Sequence, residues 1–183
     1  DILETCATGV HCGSHGCPEC ARADQRWLVN AAQRDLKAKD PGYDDWAFNF
    51  VMPDGQVAIA NLESAPFTDI LDRVRDALEK CGAVEFAVLG SDTSANDDTE
   101  KFCLGRLKKG PRVYWQIHVY GVVRSSDRQA VWNALRHLFP KAANIYRPLS
   151  MSCKPFDGAA KGISYVLKPQ GFRHASYFDV VRD

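Results

Sequence analysis

Eleven consecutive residues, Val113–Val123, read VYWQIHVYGVV, and almost all of them are β-branched or aromatic. Such a run is a strand, and its bulk makes it a buried one. Successive side chains of a strand point to opposite faces. Val113, Trp115, Ile117, Val119 and Val123 therefore share one face, and Tyr114, Gln116, His118 and Tyr120 share the other. The fold has to supply an apolar layer for the first set. It also has to account for an amide and an imidazole aimed at the same spot.

The other elements are arranged around this strand. A helix is expected from about Pro18 to Lys39, with Trp27, Leu28, Ala31, Ala32 and Leu36 on its inner side, stopped by Asp40-Pro41-Gly42. Trp46–Met52 reads as a strand, turned by Pro53-Asp54-Gly55 into a second short one through Val57–Asn61. Phe67, Ile70, Leu71, Val74 and Leu78 recur at helical spacing, with Ser64 or Thr68 as the cap and Gly82 as a left-handed stop. Ala83–Gly90 is a buried strand, and the polar stretch Ser91–Lys109 is a loop or an irregular hairpin connection. After the strand Val113–Val123, Ser125-Ser126-Asp127 caps a helix burying Val131, Ala134, Leu135 and Leu138. Asn144–Cys153 is the last strand and Asp157–Lys168 the last helix. Five short strands joined by hairpins and helices predict an α+β fold, a mainly antiparallel five-stranded sheet covered by helices on one face.

A chain of 183 residues, 45% of them hydrophobic, suffices for one domain with a real core. No run of about 18 apolar residues exists, so no membrane partner is indicated. The chain begins at Asp1 without a methionine or a signal peptide, as expected of a segment trimmed from something longer. Net charge is zero, but residues 1–100 hold 8 Lys/Arg against 19 Asp/Glu (−11), and residues 101–183 hold 15 against 4 (+11). That polarity fits a polyanion partner for the second half, or two halves that interleave and neutralise each other.

Four of the seven cysteines crowd into the first twenty residues, as CATGVHCGSHGCPEC. Cys6, Cys12, Cys17 and Cys20 are separated by five, four and two residues. The two-residue gap of Cys17-Pro18-Glu19-Cys20 lets both thiolates meet one tetrahedral ion, so the set predicts a closed structural zinc site, with His11 and His15 as alternative ligands. Ordinary reduced thiols, or a redox pair at Cys17 and Cys20, are the competing readings; a redox pair normally follows a strand, and none precedes this one. An odd count clustered in this way fits a reducing compartment such as the cytoplasm. Cys81, Cys103 and Cys153 are expected in the core or in loops.

Three further groups could carry chemistry. If the strand ending in VLGSD lies beside the strand Val113–Val123, Asp92, Gln116 and His118 converge, and oxygen with imidazole ligation suits Mn2+ or Mg2+ better than zinc. In DGAAKGISYVLKP, Lys161, Tyr165 and Lys168 fall within about 60° of one helix face. Flanking ammonium groups favour phenolate and can hold a phosphate, which makes Tyr165 a candidate nucleophile; the plain alternative is a solvated face that happens to include a tyrosine. Arg106, Lys108, Lys109 and Arg112 form a basic turn suited to phosphate contacts, with Tyr114 and Tyr120 nearby as stacking platforms.

The combination of CGSHGCPEC near the start, WQIHVYGVV in a strand and ISYVLKP in a late helix resembles the rolling-circle replication initiators of the HUH endonuclease superfamily, from about Cys12 to Tyr177. The resemblance implies a palm-like antiparallel sheet whose central strand carries metal ligands, spanning residues 23–183 after a zinc-binding segment at 1–22. It implies nicking of single-stranded origin DNA for a plasmid or phage, with tyrosine joined to the 5′ phosphate and host replication proteins as partners. His118 matches the second His of the family motif, Asp92 its acidic position, Tyr165 the nucleophile and Lys168 its basic companion, with Lys161 beside them. Gln116 stands where the first His belongs, a departure that weakens manganese binding. Tyr177 in RHASYFD is a rival nucleophile. The alternatives are a non-catalytic, zinc-stapled domain that binds single strands on the same fold, and a zinc-stabilised protein-interaction module.

Overall fold

A computed structural model describes residues 6, 12, 17–38, 41–97, 113–138 and 149–167. In chain order these form α1 (Pro18–Lys37), β1 (Asp44–Ala58), a 3-10 helix (Ile59–Ser64), α2 (Phe67–Glu79), β2 (Val84–Asp97), β3 (Val113–Ser125), α3 (Arg128–Leu138), β4 (Leu149–Met151) and α4 (Ala160–Val166). The fold is α+β. The sheet runs β2-β3-β1-β4, and every pairing is antiparallel. The apolar run Val113–Val123 lies in β3, which is central, hydrogen-bonded to β1 on one side and β2 on the other.

The first two expected strands run on as one that ends at Ala58, so Ile59–Asn61 belongs to the 3-10 helix instead, and of Asn144–Cys153 the strand among the described residues is Leu149–Met151. Pro53-Asp54-Gly55 does not reverse the chain. Val51 pairs with His118 and Gln56 with Gln116, so residues 52–55 of β1 oppose the single residue Ile117. Proline has no N–H to give a ladder, and the excess residues bulge out while both arms keep their direction. Gly55 closes this bulge, because a Cβ there would lie 2.7 Å from the Met52 Cβ.

Helices cover both faces of the sheet, where the sequence predicts cover on one. Ile117, Val119 and Val123 of β3 pack with Ile70, Val74 and Leu78 of α2, Val131 and Leu135 of α3, and Phe48, Phe50 and Met52 of β1. On the opposite face Val122 meets Val29, Ala32 and Leu36 of α1 and Ile163 and Val166 of α4. This second layer was hard to read because the β3 face beneath it is mostly polar. The α1 stripe also differs from expectation: Cys20, Ala21, Val29, Ala32 and Leu36 are buried, while Trp27 is 65% and Leu28 41% exposed. Small residues let α1 lie close to α4, and the bulkier pair is turned outward.

Local details differ for physical reasons too. Pro66, without a capping side chain, precedes α2, so neither Ser64 nor Thr68 caps it, and positive φ is confined to Gly42 and Gly158 among described glycines, leaving Gly82 out. Asp127 does cap α3: its Oδ1 accepts from the backbone N–H groups of Gln129 (2.7 Å) and Ala130 (3.1 Å). β2 continues through Ser91–Asp97, expected as loop, because β3 offers it a full ladder of partners there. The acidic and basic halves of the chain interleave, since β3 of the second half lies between two strands of the first.

The second layer is anchored by Arg124 of β3, which is 3% exposed. Its Nε donates to Asp45 Oδ1 at 3.0 Å, and its terminal nitrogens reach the carbonyls of Leu36 (2.7 Å) and Ala38 (3.4 Å) at the end of α1. On the same side α4 approaches β2 at Gly90, where a Cβ would collide with the Val166 carbonyl oxygen. Gly90→Ala is expected to cost roughly 1–3 kcal/mol by overpacking. Gly82→Ala, where a Cβ meets nothing within 4 Å, should be neutral or slightly stabilising. Urea unfolding of the two variants checks this, and equal losses would place the α4–sheet contact elsewhere.

Candidate functional site

The cysteine cluster is built on the first turn of α1. Cys17 occupies the cap position with Pro18 at N1, where a missing N–H is harmless, and Cys20 follows one turn on. Its ligand atoms and those of Cys6 and Cys12 all lie within 4.8 Å of one another. Cys20 Sγ is 3.6 Å from both Cys6 Sγ and Cys12 Sγ. Four sulfurs at that separation fit a tetrahedral ion such as zinc, with no position left for substrate. His11 and His15 lie outside the described residues. The boundary expected after residue 22 falls inside α1, so the cysteines and the sheet share one helix.

Helix geometry prepares one of these thiols. Interaction with the Cys20 backbone N–H, then with the Cys6 thiol, brings the Cys17 pKa down to about 7. Cys6 behaves oppositely: the Cys12 backbone favours its thiolate, but the neighbouring thiols, Cys17 first, and desolvation push it up to about 12. Cys81 is half-buried against the larger core and Cys153 is exposed; Cys103 lies outside the described residues.

The second group of candidates meets on the α1/α4 side of the sheet. Asp92 of β2 is the direct cross-strand partner of His118, and Ser94 is the partner of Gln116. Asp92 and Gln116 are buried and His118 is half-buried. Asp92 Oδ1 accepts from the Thr93 N–H at 2.8 Å. Gln116 Nε2 donates to the Met52 carbonyl at 2.7 Å and to the Ile117 carbonyl at 3.2 Å. The bulge in β1 thus has a role, because it frees Met52 O from the ladder and orients the amide. With the nitrogen committed twice, Oε1 is the end of Gln116 left to ligate. A carboxylate, an amide oxygen and an imidazole fit a hard divalent cation in kind. His118 Nε2 is 2.9 Å from Ser94 Oγ, so a cation at that nitrogen competes with the serine hydroxyl.

α4 brings Tyr165 to this face from far along the chain. Its ring, 47% exposed, meets Tyr120 edge-on with centroids 4.8 Å apart, and its hydroxyl donates to the Tyr120 hydroxyl at 3.3 Å. Tyr120 in turn lies parallel to His118, centroids 6.1 Å apart. Burial, then the Tyr165 hydroxyl, then the Asp92 charge push the Tyr120 phenol well above its ordinary pKa. Lys161 is exposed one turn before Tyr165. Lys168, Tyr177 and the basic turn of Arg106, Lys108, Lys109 and Arg112 lie outside the described residues.

Two expectations for this face change. Tyr114 is 6% exposed, flanked by Ala58 and Asn96 across the strands, so its ring is not a surface platform for a base. Ser94 was not anticipated. Its stretch, SDTSAND, has low strand propensity and reads as loop, and only the alternation of Asp92, Ser94 and Asn96 could have signalled a polar strand face.

The protein is expected to carry about one zinc per chain by elemental analysis, with Cys17→Ser losing most of it. Binding requires thiolate, so the high-pKa Cys6 must release a proton, and Cys17, which takes one up as pH falls through about 7, must then release it as well. Zinc affinity should therefore rise from pH 6 to pH 8 in a chelator competition, and an unchanged affinity would count against a thiolate site. Compared with models of known protein families, with curated proteins and with solved structures, the chain matches none of them.

Proposed function

We propose that this domain nicks and rejoins single-stranded DNA through Tyr165, in the manner of the rolling-circle initiators its motifs resemble. The observation that carries this reading is the meeting of α4 with the polar sheet face: Tyr165 contacts Tyr120, which stacks on His118 beside Asp92. Spacing along the sequence could not supply that convergence.

The Tyr165 oxygen attacks a backbone phosphorus; the new bond is Tyr165 O–P and the bond broken is P–O3′. The phenol proton passes to solvent, the departing 3′ oxygen takes one up, and a polymerase receives a free 3′ hydroxyl. The exchange of one phosphodiester for another needs no oxidant or energy source. Asp92, Gln116 and His118 would hold Mn2+ or Mg2+, which when bound supplies Lewis-acid polarisation of a phosphate oxygen. Lys161 lies on the helix that carries Tyr165 and can attract the phosphate. Origin DNA, a plasmid or phage replicon and host replication proteins belong to this proposal as partners. The cysteine cluster staples the start of α1.

One observation favours a second reading, a non-catalytic domain that binds single strands. Gln116 is hydrogen-bonded into the sheet through its nitrogen, as a structural residue would be. The two readings separate on a denaturing gel of labelled single-stranded oligonucleotides incubated with manganese. Wild type is expected to form a covalent, slowly migrating protein–DNA band that Tyr165→Phe loses entirely and that EDTA prevents. Retention of DNA with no adduct from any oligonucleotide would leave the binding domain.

A further inference from the structure

Tyr120 is a natural candidate for stacking on a nucleotide base, yet its surroundings give it other work. One neighbour, His118, lies parallel to its ring at 6.1 Å with planes 8° apart. The other, Tyr165, covers it edge-on at 4.8 Å, with planes 84° apart. The hydroxyl groups of the two tyrosines are 3.3 Å apart. These contacts arise from different parts of the fold: Tyr120 is fixed on the central strand, whereas Tyr165 rides on a seven-residue helix, half of its side chain in solvent.

We propose that Tyr120 is a positioning residue for Tyr165: its ring sets the direction of the Tyr165 side chain, and its hydroxyl holds the Tyr165 oxygen. The inference rests on the nicking function assigned to Tyr165. A short exposed helix does not by itself restrict a tyrosine to one rotamer. An edge-to-face ring contact together with a hydroxyl pair does, since aromatic pairs prefer that geometry and the hydrogen bond fixes the remaining rotation. A phenolic hydroxyl both donates and accepts. At rest Tyr165 donates to Tyr120. When Tyr165 gives up its proton to solvent and its oxygen moves toward phosphorus, Tyr120 rotates its own O–H and donates to the developing phenolate. Hydrogen bonds to a charged acceptor are the stronger kind, so the contact tightens as the phenolate forms and relaxes once the O–P bond takes up its charge.

The test is Tyr120→Phe, which keeps the ring contact and removes the hydroxyl, with circular dichroism and thermal unfolding to establish that the fold is intact. Adduct formation on single-stranded oligonucleotide with manganese is followed against DNA concentration. The expected result is a rate lowered roughly ten- to a hundredfold at neutral pH. The half-saturating DNA concentration stays unchanged. A base-stacking role would instead raise the half-saturating concentration and leave the maximal rate alone, and that result overturns the proposal. A second readout is independent of DNA chemistry. In protein labelled with 13C at the tyrosine Cζ, the Tyr165 signal, assigned by its loss in Tyr165→Phe, is expected to shift in Tyr120→Phe. If wild type forms no adduct, the nicking function falls, and this signal still decides the hydroxyl pair: a shift sustains it and an unchanged position overturns it.

Discussion

Arg124 carries a full charge into the middle of the sheet, and the whole α1/α4 layer is organised around how that charge is satisfied. Removing a guanidinium from water is costly unless it is paired and hydrogen-bonded. Here Asp45 supplies the opposite charge from the neighbouring strand, and the carbonyls of Leu36 and Ala38 complete the donors' needs. Those carbonyls are among the last of α1, groups that a helix leaves without partners and where its dipole welcomes a cation. One side chain thereby fixes the end of α1 against β1 and β3. Glu85 at 3.9 Å and the Phe86 ring beneath the guanidinium extend the arrangement to β2.

From that fixed end the helix runs back across the sheet to the cysteines, and α4 packs along it. Gln25 donates to the Ser164 carbonyl at 2.8 Å, and Gln33 to the Gly158 carbonyl at 3.2 Å. The residue after Ser164 is Tyr165. The position of the phenol is therefore set by α1 beneath its helix, by the close approach at Gly90, and by Tyr120. The cysteine cluster sits at the other end of the same helix.

The sequence was most legible where one physical effect dominates. The apolar run of β3 reads as a buried strand, and four cysteines at those spacings meet only if the chain loops back on itself. Asp92 beside His118 followed once the strand ending in VLGSD was placed next to β3. Legibility failed where tertiary pairing overrides local preference. Ser91–Asp97 is poor strand material made into strand by its neighbour, which hid Ser94. Trp27 looked like a core residue because it is large, although the smaller Ala32 and Val29 pack better between two close helices. Proline and glycine at 53–55 signalled a reversal, but the β3 ladder resumes beyond them. The second helical layer was obscured because the face it covers exchanges apolar contacts for an ion pair and a polar cluster.

The order of strands has a consequence for how the chain acquires this shape during synthesis. β1 and β2 are both made before β3, and in the sheet neither touches the other; each pairs with β3. Until residue 125 has emerged, two long strands therefore await the partner that joins them, with unpaired edges of the kind that promote association between chains. The first hundred residues carry a net charge of −11 in that interval, and like charges keep copies apart. The basic second half then arrives with the central strand, closing the sheet and cancelling the charge together. Pairing of the sheet and neutralisation of the charge over these 183 residues thus both wait on the second half.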